Sequence, residues 1–215
     1  MLLYLIRHPE PQIEPGVCYG VLDVPAKPAA LTAAFAALLP QLAHCNGITI
    51  YTSPLQRCTA LASALRAALP GSLLVTSPEL IELNFGTWEG CSWDDIYANE
   101  GACLETWAAQ PIDYAPGGGE SLRQLHCRVI TWLNDLRRSG CETAVVLTHG
   151  GPLRVLLSLN CKLNSSPNTS LSTKQNANEI SPTETSLLAA YARKAPPWGS
   201  LNVVTIGGEH RVNAG

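Results

Sequence analysis

The chain has 215 residues, of which 46% are hydrophobic and 14% charged, with a formal net charge of -3. That composition supports a sizeable core and excludes wholesale disorder, and the slight acidity excludes a general attraction to nucleic acid or anionic membrane. No apolar run reaches the ~18 residues that a membrane-spanning helix needs, so any anion site has to be a local cluster.

In chain order, Leu2 to Ile6 is a short apolar run that reads as a buried strand. An Ala-rich stretch from Thr32 to His44 reads as a helix that Pro40 kinks or ends. Ile48 to Thr52 is a second strand, followed by Ser53-Pro54 with Gln56 three residues after the serine, a combination that predicts a helix capped by Ser53 and running to about Leu69. Leu73 to Thr76 is a third strand, and Cys91 to Gln110 holds short helical pieces rich in Trp and acidic residues. Pro116 to Gly119 is expected to be a flexible loop, after which Ser121 caps a strong helix with Leu122, Leu125, Val129, Leu133 and Leu136 on one face. Ala144 to Thr148 is a strand, Gly150-Gly151-Pro152 leads into a helix from Leu153 to Leu159, and Leu201 to Ile206 is a strand with Glu209 to Val212 as a hairpin partner.

Strands alternating with helices predict an α/β fold, a three-layer α/β/α sandwich around a mostly parallel sheet, formed by a single domain over residues 1–215. From Asn160 to Thr185, 14 of 26 residues are Ser, Thr or Asn, which reads as a polar flexible insertion at about 160–185, a surface elaboration rather than a lid. Ser181-Pro182-Thr183-Glu184 restarts a helix there through a capping box. The eight cysteines include no CxxC pair, so a zinc or thioredoxin-type site has no support. The N-terminus lacks a basic region followed by an apolar stretch and cleavage site. Reduced, buried thiols and a soluble cytoplasmic protein are therefore expected.

Two strands each deliver a histidine at the carboxyl end, His8 after Arg7 and His149 after Thr148, where open α/β sheets bind ligands. Arg57 lies in the first turn of a helix that also follows a strand, where unpaired N–H groups favour an anion. Thr148 and Ser53 either bind phosphate or cap helices, capping being the expectation for Ser53. Trp88 and Trp93 are expected in the core, and His44, His126 and His210 on the surface or a helix face.

RHPEP (Arg7 to Pro11), SPLQR (Ser53 to Arg57), ELNFGTWEG (Glu82 to Gly90), PGGGES (Pro116 to Ser121) and THGG (Thr148 to Gly151) occur in an order that resembles the histidine phosphatase, or phosphoglycerate mutase-like, superfamily. Within it, the segments Tyr19 to Pro25 and Phe85 to Ile96 look like the alpha-ribazole phosphatase branch. The resemblance implies a phosphomonoesterase with a phosphohistidine intermediate on His8, and alpha-ribazole 5'-phosphate hydrolysis in cobalamin assembly. It makes His8 the nucleophile, Arg7, Arg57 and His149 the phosphoryl clamp, and Glu82 the acid and then the base. Gly150, Tyr19, Gly20 and Asp23 border the substrate. It implies no metal and no cofactor, a small phosphorylated metabolite as partner, and a monomer or homodimer.

Two positions depart from the family pattern: Pro9 replaces a glycine and removes one backbone N–H, and Glu14 stands where an asparagine is common. Other readings are a phosphoglycerate mutase, which wants more cations than lie between Glu82 and Glu120, a phosphohistidine-protein phosphatase, and a non-catalytic phosphate-binding domain.

Overall fold

A computed structural model describes residues 1–160 and 194–206. Its elements are β1 (Leu2–Arg7), α1 (Pro28–Leu42), β2 (Thr49–Thr52), α2 (Gln56–Ala68), β3 (Leu73–Thr76), α3 (Trp93–Ala109), α4 (Leu122–Arg138), β4 (Thr143–Thr148), α5 (Gly150–Asn160) and β5 (Leu201–Thr205). Most of the polar tract, its helix restart and the hairpin partner at 209–212 lie outside the described residues.

The strands form one sheet in the order β3-β2-β4-β1-β5. All neighbours are parallel except β1 and β5. The alternation of side chains along each strand splits the core in two. Leu3, Leu5, Ala144 and Val146 face one side, where they pack with Val129 and Leu133 of α4 and Leu153 and Leu156 of α5. Tyr4, Ile6, Val145 and Leu147 face the other, against Leu38 and Leu42 of α1 and Leu61 and Leu65 of α2. This is the expected three-layer sandwich. Because the two central strands bury both faces, they are continuous apolar runs rather than alternating ones. A third, smaller cluster of Cys18, Trp88 and Ile96 gathers Phe85, Trp93 and Trp107 beside the sheet, so both tryptophans expected in the core pack with other aromatics.

Several boundaries differ from expectation for local reasons. Helix α1 begins at Pro28, where the ring fits the first helical turn, and continues to Leu42 past Pro40, which neither ends nor breaks it. The acidic, Trp-rich segment does hold helical pieces as expected, because α3 is kinked into two at Glu100, whose angles are non-helical. Ser53 does not cap α2, which begins at Gln56. The Gln56 N–H is instead capped from a distance by Asp23 Oδ1 at 2.7 Å. Ser121 caps α4 as expected, and with Gln124 it forms a capping box.

The glycine loop is not a slack connection. Gly117 has φ +57°, and a Cβ there would overlap the Phe85 carbonyl oxygen, because the loop lies backbone to backbone against residues 84–88. Gly118 has φ +70° but open space around it. Gly117→Ala should therefore destabilise the fold by about 2 kcal/mol or more in urea unfolding, and Gly118→Ala by only about 1 kcal/mol, the backbone strain alone. Equal effects of the two would contradict this packing.

Candidate active site

The register of β1 against β4 pairs Arg7 with Thr148, so the next residues, His8 and His149, emerge side by side at the carboxyl edge of the sheet. The His8 N–H donates to the Thr148 carbonyl at 2.9 Å, and the two imidazole centroids are 5.0 Å apart. Both rings are buried, at 1% and 0% exposure.

His8 Nδ1 lies 2.7 Å from the Pro9 carbonyl oxygen. A carbonyl only accepts, so Nδ1 carries the proton and Nε2 presents its lone pair. Proline at this position gives up an N–H but keeps the carbonyl that orients the ring. Burial first, then the charges of Arg57 and, more weakly, Arg7 push the His8 pKa down to about 3, against the opposing pull of the Pro9 bond. His149 is likewise held well below the usual range, by burial and then by Arg57.

Arg57 is fully buried at the start of α2. Its Nε donates to His149 Nδ1 at 3.2 Å, and its terminal nitrogens donate to the carbonyls of Leu22 at 2.8 Å and Gly20 at 2.6 Å. A guanidinium has five N–H groups, so donors remain for an anion. Because His149 Nδ1 accepts, its Nε2–H donates to Ser53 Oγ at 2.7 Å. The serine expected to cap a helix instead fixes the second histidine. Tyr19 lies under the Arg57 guanidinium, 5.2 Å from ring centroid to Cζ.

Glu89 holds this loop from behind. Its carboxylate accepts from the N–H groups of Val21 at 2.9 Å, Leu22 at 2.6 Å and Phe85 at 2.9 Å. The exposed Asp23 is engaged by Gln56, through both the backbone and the side-chain amide. Glu14 is exposed, so its charge is turned to solvent.

Glu82 approaches the N-terminus of α5, where the Gly151 N–H donates to its carboxylate at 3.0 Å, and the Leu83 N–H donates at 2.8 Å. A Cβ on Gly151 would overlap Glu82 Oε1, which gives the second glycine of THGG a direct reason. The backbone of residues 79–82 is gripped by Arg128 of α4, which donates to the carbonyls of Glu79, Ile81 and Glu82 and pairs with Glu120 at 2.7 Å. Thr148 Oγ1 donates to the Leu80 carbonyl at 2.6 Å, so it secures the same segment.

Arg7 donates to the Pro196 carbonyl at 2.6 Å, and its guanidinium lies 5.5 Å from the Trp198 ring centroid. A pocket of about 400 Å³ opens beside Arg7, Glu82, Gly150 and Gly151, walled by Phe85, Trp107, His126 and Arg154 among others. His126, expected on the surface or a helix face, is fully buried in that wall. Among the described residues no group of three or more His, Cys, Asp or Glu is arranged to hold a metal, and no helix is long and apolar enough to cross a membrane.

Two neighbouring histidines, two arginines and a carboxylate thus gather at the carboxyl edge of a mostly parallel sheet. The chain belongs to the histidine phosphatase superfamily (branch 1), whose family model matches residues 3–183. It is 29% identical over 159 residues to the putative phosphoserine phosphatase 2 of Hydrogenobacter thermophilus, covering 73% of this chain and 77% of that one. A solved structure of a putative alpha-ribazole-5'-P phosphatase from Escherichia coli is 26% identical, with a TM-score of 0.65 over 74% of this chain and 79% of that one. The alpha-ribazole phosphatase of Shigella flexneri shares the fold, at 21% identity and a TM-score of 0.71 over 96% and 91% of the two chains. Family and relatives together make the chain a phosphoric monoester hydrolase.

The depressed histidines have a consequence for stability. Unfolded, His8 titrates near the ordinary value of about 6.5, whereas folded it stays neutral down to about 3. Between those values the unfolded chain binds a proton that the native chain refuses, so this contribution is complete above about pH 6.5 and is lost as pH falls. Denaturant unfolding should show stability dropping below about pH 6.5, by roughly 1.4 kcal/mol per pH unit for each such histidine, and less steeply in His8→Asn. An identical pH slope in the variant would show that His8 takes up its proton in the folded state.

Proposed function

We propose that the chain hydrolyses small phosphate monoesters through a covalent phosphohistidine on Nε2 of His8. The observation that carries this is the hydrogen bond from Nδ1 to the Pro9 carbonyl, which leaves Nε2 unprotonated in a ring held neutral between two guanidinium groups. A neutral imidazole attacks phosphorus with no proton to remove first.

In the first half-reaction the His8 Nε2 lone pair forms the P–N bond as the ester P–O bond breaks. Charge spreads over the three equatorial oxygens, where Arg7 and the remaining Arg57 donors meet it, and His149 completes the clamp as its Nε2–H swings from Ser53 to a phosphoryl oxygen. Glu82 serves as the general acid that gives a proton to the departing alkoxide. In the second half-reaction Glu82 takes a proton from water as the water oxygen attacks phosphorus and the P–N bond breaks, which restores neutral His8 and releases phosphate. Gly150 and the loop of Tyr19, Gly20 and Asp23 border the substrate in this reading, with Asp23 acting through the start of α2.

For the leaving group, alpha-ribazole 5'-phosphate in cobalamin assembly is supported by the Tyr19 to Pro25 and Phe85 to Ile96 segments and by the likeness to the Escherichia coli structure. The Phe85 and Trp107 wall suits a planar ring. A phosphorylated acidic metabolite, the kind of substrate named for the Hydrogenobacter relative, is favoured by one observation, the cationic Arg154 in the same wall.

Rapid acid quench after mixing with a reactive monoester should trap an acid-labile phosphoenzyme in the wild type. Glu82→Gln should accumulate it, because hydrolysis slows more than transfer to His8 when the leaving group needs no proton. His8→Ala should form none and lose about 10³-fold or more in kcat. A His8→Ala protein retaining more than about a tenth of the activity would refute the mechanism. A panel of alpha-ribazole 5'-phosphate, mononucleotides, phosphoserine and phosphoglycerates, scored by kcat/KM, separates the leaving groups. Interconversion of the phosphoglycerates without phosphate release would make the chain a mutase.

A further inference from the structure

The pocket beside Glu82 contains a positive charge that phosphoryl transfer does not use. Arg154 follows Gly150 by four residues on α5, about 6 Å along the helix axis from the glycine backbone that borders Glu82. Its side chain is half-buried in the pocket wall. Among the described residues its guanidinium has no hydrogen bond or ion pair, and its Nε is buried without a partner. Among the described residues Glu82 is the single acidic one lining the pocket, and its carboxylate is already held by the N–H groups of Leu83 and Gly151.

A partly desolvated guanidinium without a counter-ion is unfavourable, and here a second cation aggravates it. Arg154 is close enough to Arg7 for its charge to oppose that of Arg7. The same wall presents another donor without a partner among the described residues, the buried indole N–H of Trp107. Apart from the buried His126, the remaining side chains of the wall are apolar, among them Leu122, Leu125 and Val155, which limits solvent screening of any charge placed there. Unsatisfied donors with no matching acceptor describe the complement of an anion.

We propose that Arg154 is a specificity-determining residue that binds a second anionic group, a carboxylate or a second phosphate, on the leaving-group side of the substrate. This deepens the phosphomonoesterase reading and rests on it for the position of the reacting phosphate. The one-turn spacing and the pocket size select compact substrates whose two anionic groups are a few bonds apart. A neutral leaving group leaves Arg154 uncompensated, so the selection works against neutral monoesters as well as for acidic ones.

The test compares 3-phosphoglycerate with glycerol 3-phosphate, which differ by a carboxylate against a hydroxymethyl group, and fructose 1,6-bisphosphate with fructose 6-phosphate. Wild-type kcat/KM should favour the acidic member of at least one pair by about tenfold to a hundredfold, the worth of a hydrogen bond to a charged group. The first pair reports a carboxylate and the second a phosphate. In Arg154→Gln the ratio should fall by at least about tenfold, and Arg154→Lys should restore part of it. A ratio that Arg154→Gln leaves unchanged, or a wild type that favours the neutral member of both pairs, overturns the proposal. The same pairs titrated calorimetrically against His8→Ala protein keep this question apart from the chemistry. Tighter binding of an acidic member that disappears in the His8→Ala, Arg154→Gln double variant upholds Arg154 even if no phosphohistidine forms, and equal binding of both members rejects it.

Discussion

A histidine buried among guanidinium groups cannot be charged, and the active edge of this protein is organised around that restriction. His8 and His149 lie with centroids 5.0 Å apart, next to a fully buried Arg57 and a half-buried Arg7. Protonating either ring would add a cation to a low-dielectric site where, among the described residues, no carboxylate hydrogen-bonds to either ring. Both rings are therefore neutral, and their outward hydrogen bonds decide which nitrogen keeps its proton. The Pro9 carbonyl accepts from Nδ1–H of His8, while Arg57 donates to Nδ1 of His149, whose Nε2–H donates to Ser53. The site is thus cationic where an anion would enter and nucleophilic at one atom.

Holding such a site together falls to groups outside it. The sheet places the two histidines by register alone, through the pairing of Arg7 with Thr148. The acidic side depends on Arg128 and Thr148, which fasten the backbone of residues 79–82 so that Glu82 meets the start of α5. The loop of residues 20–22 is fixed from both directions, with its N–H groups on Glu89 and its carbonyls on Arg57. Each clamp joins segments far apart in sequence, and each gives backbone groups a partner. The result is rigidity where transition-state charge must be met without reorganisation.

The fold was legible because both faces of the central strands are covered, which leaves continuous apolar runs separated by helical stretches with recognisable starts. The residues that line the edge were legible for a related reason, since Arg7-His8 and Thr148-His149 each follow such a run directly. What stayed hidden were partnerships. Ser53 has every local mark of a helix cap, but the histidine 96 positions later takes its hydroxyl and Asp23 takes over the cap. His126 and Arg154 sit on helices whose pattern gives no hint that both border a pocket. The glycine loop reads as slack because composition cannot reveal that another backbone lies against it.

The most direct measurement of the central claim is nitrogen NMR of the ring of His8 in uniformly labelled, ligand-free protein, assigned by comparison with His8→Asn. Neutrality with the proton on Nδ1 predicts a protonated Nδ1 and an unprotonated, pyridine-like Nε2, unchanged between about pH 5 and 8. A proton found on Nε2, or a ring that titrates near the ordinary histidine value of about 6.5, would contradict the account.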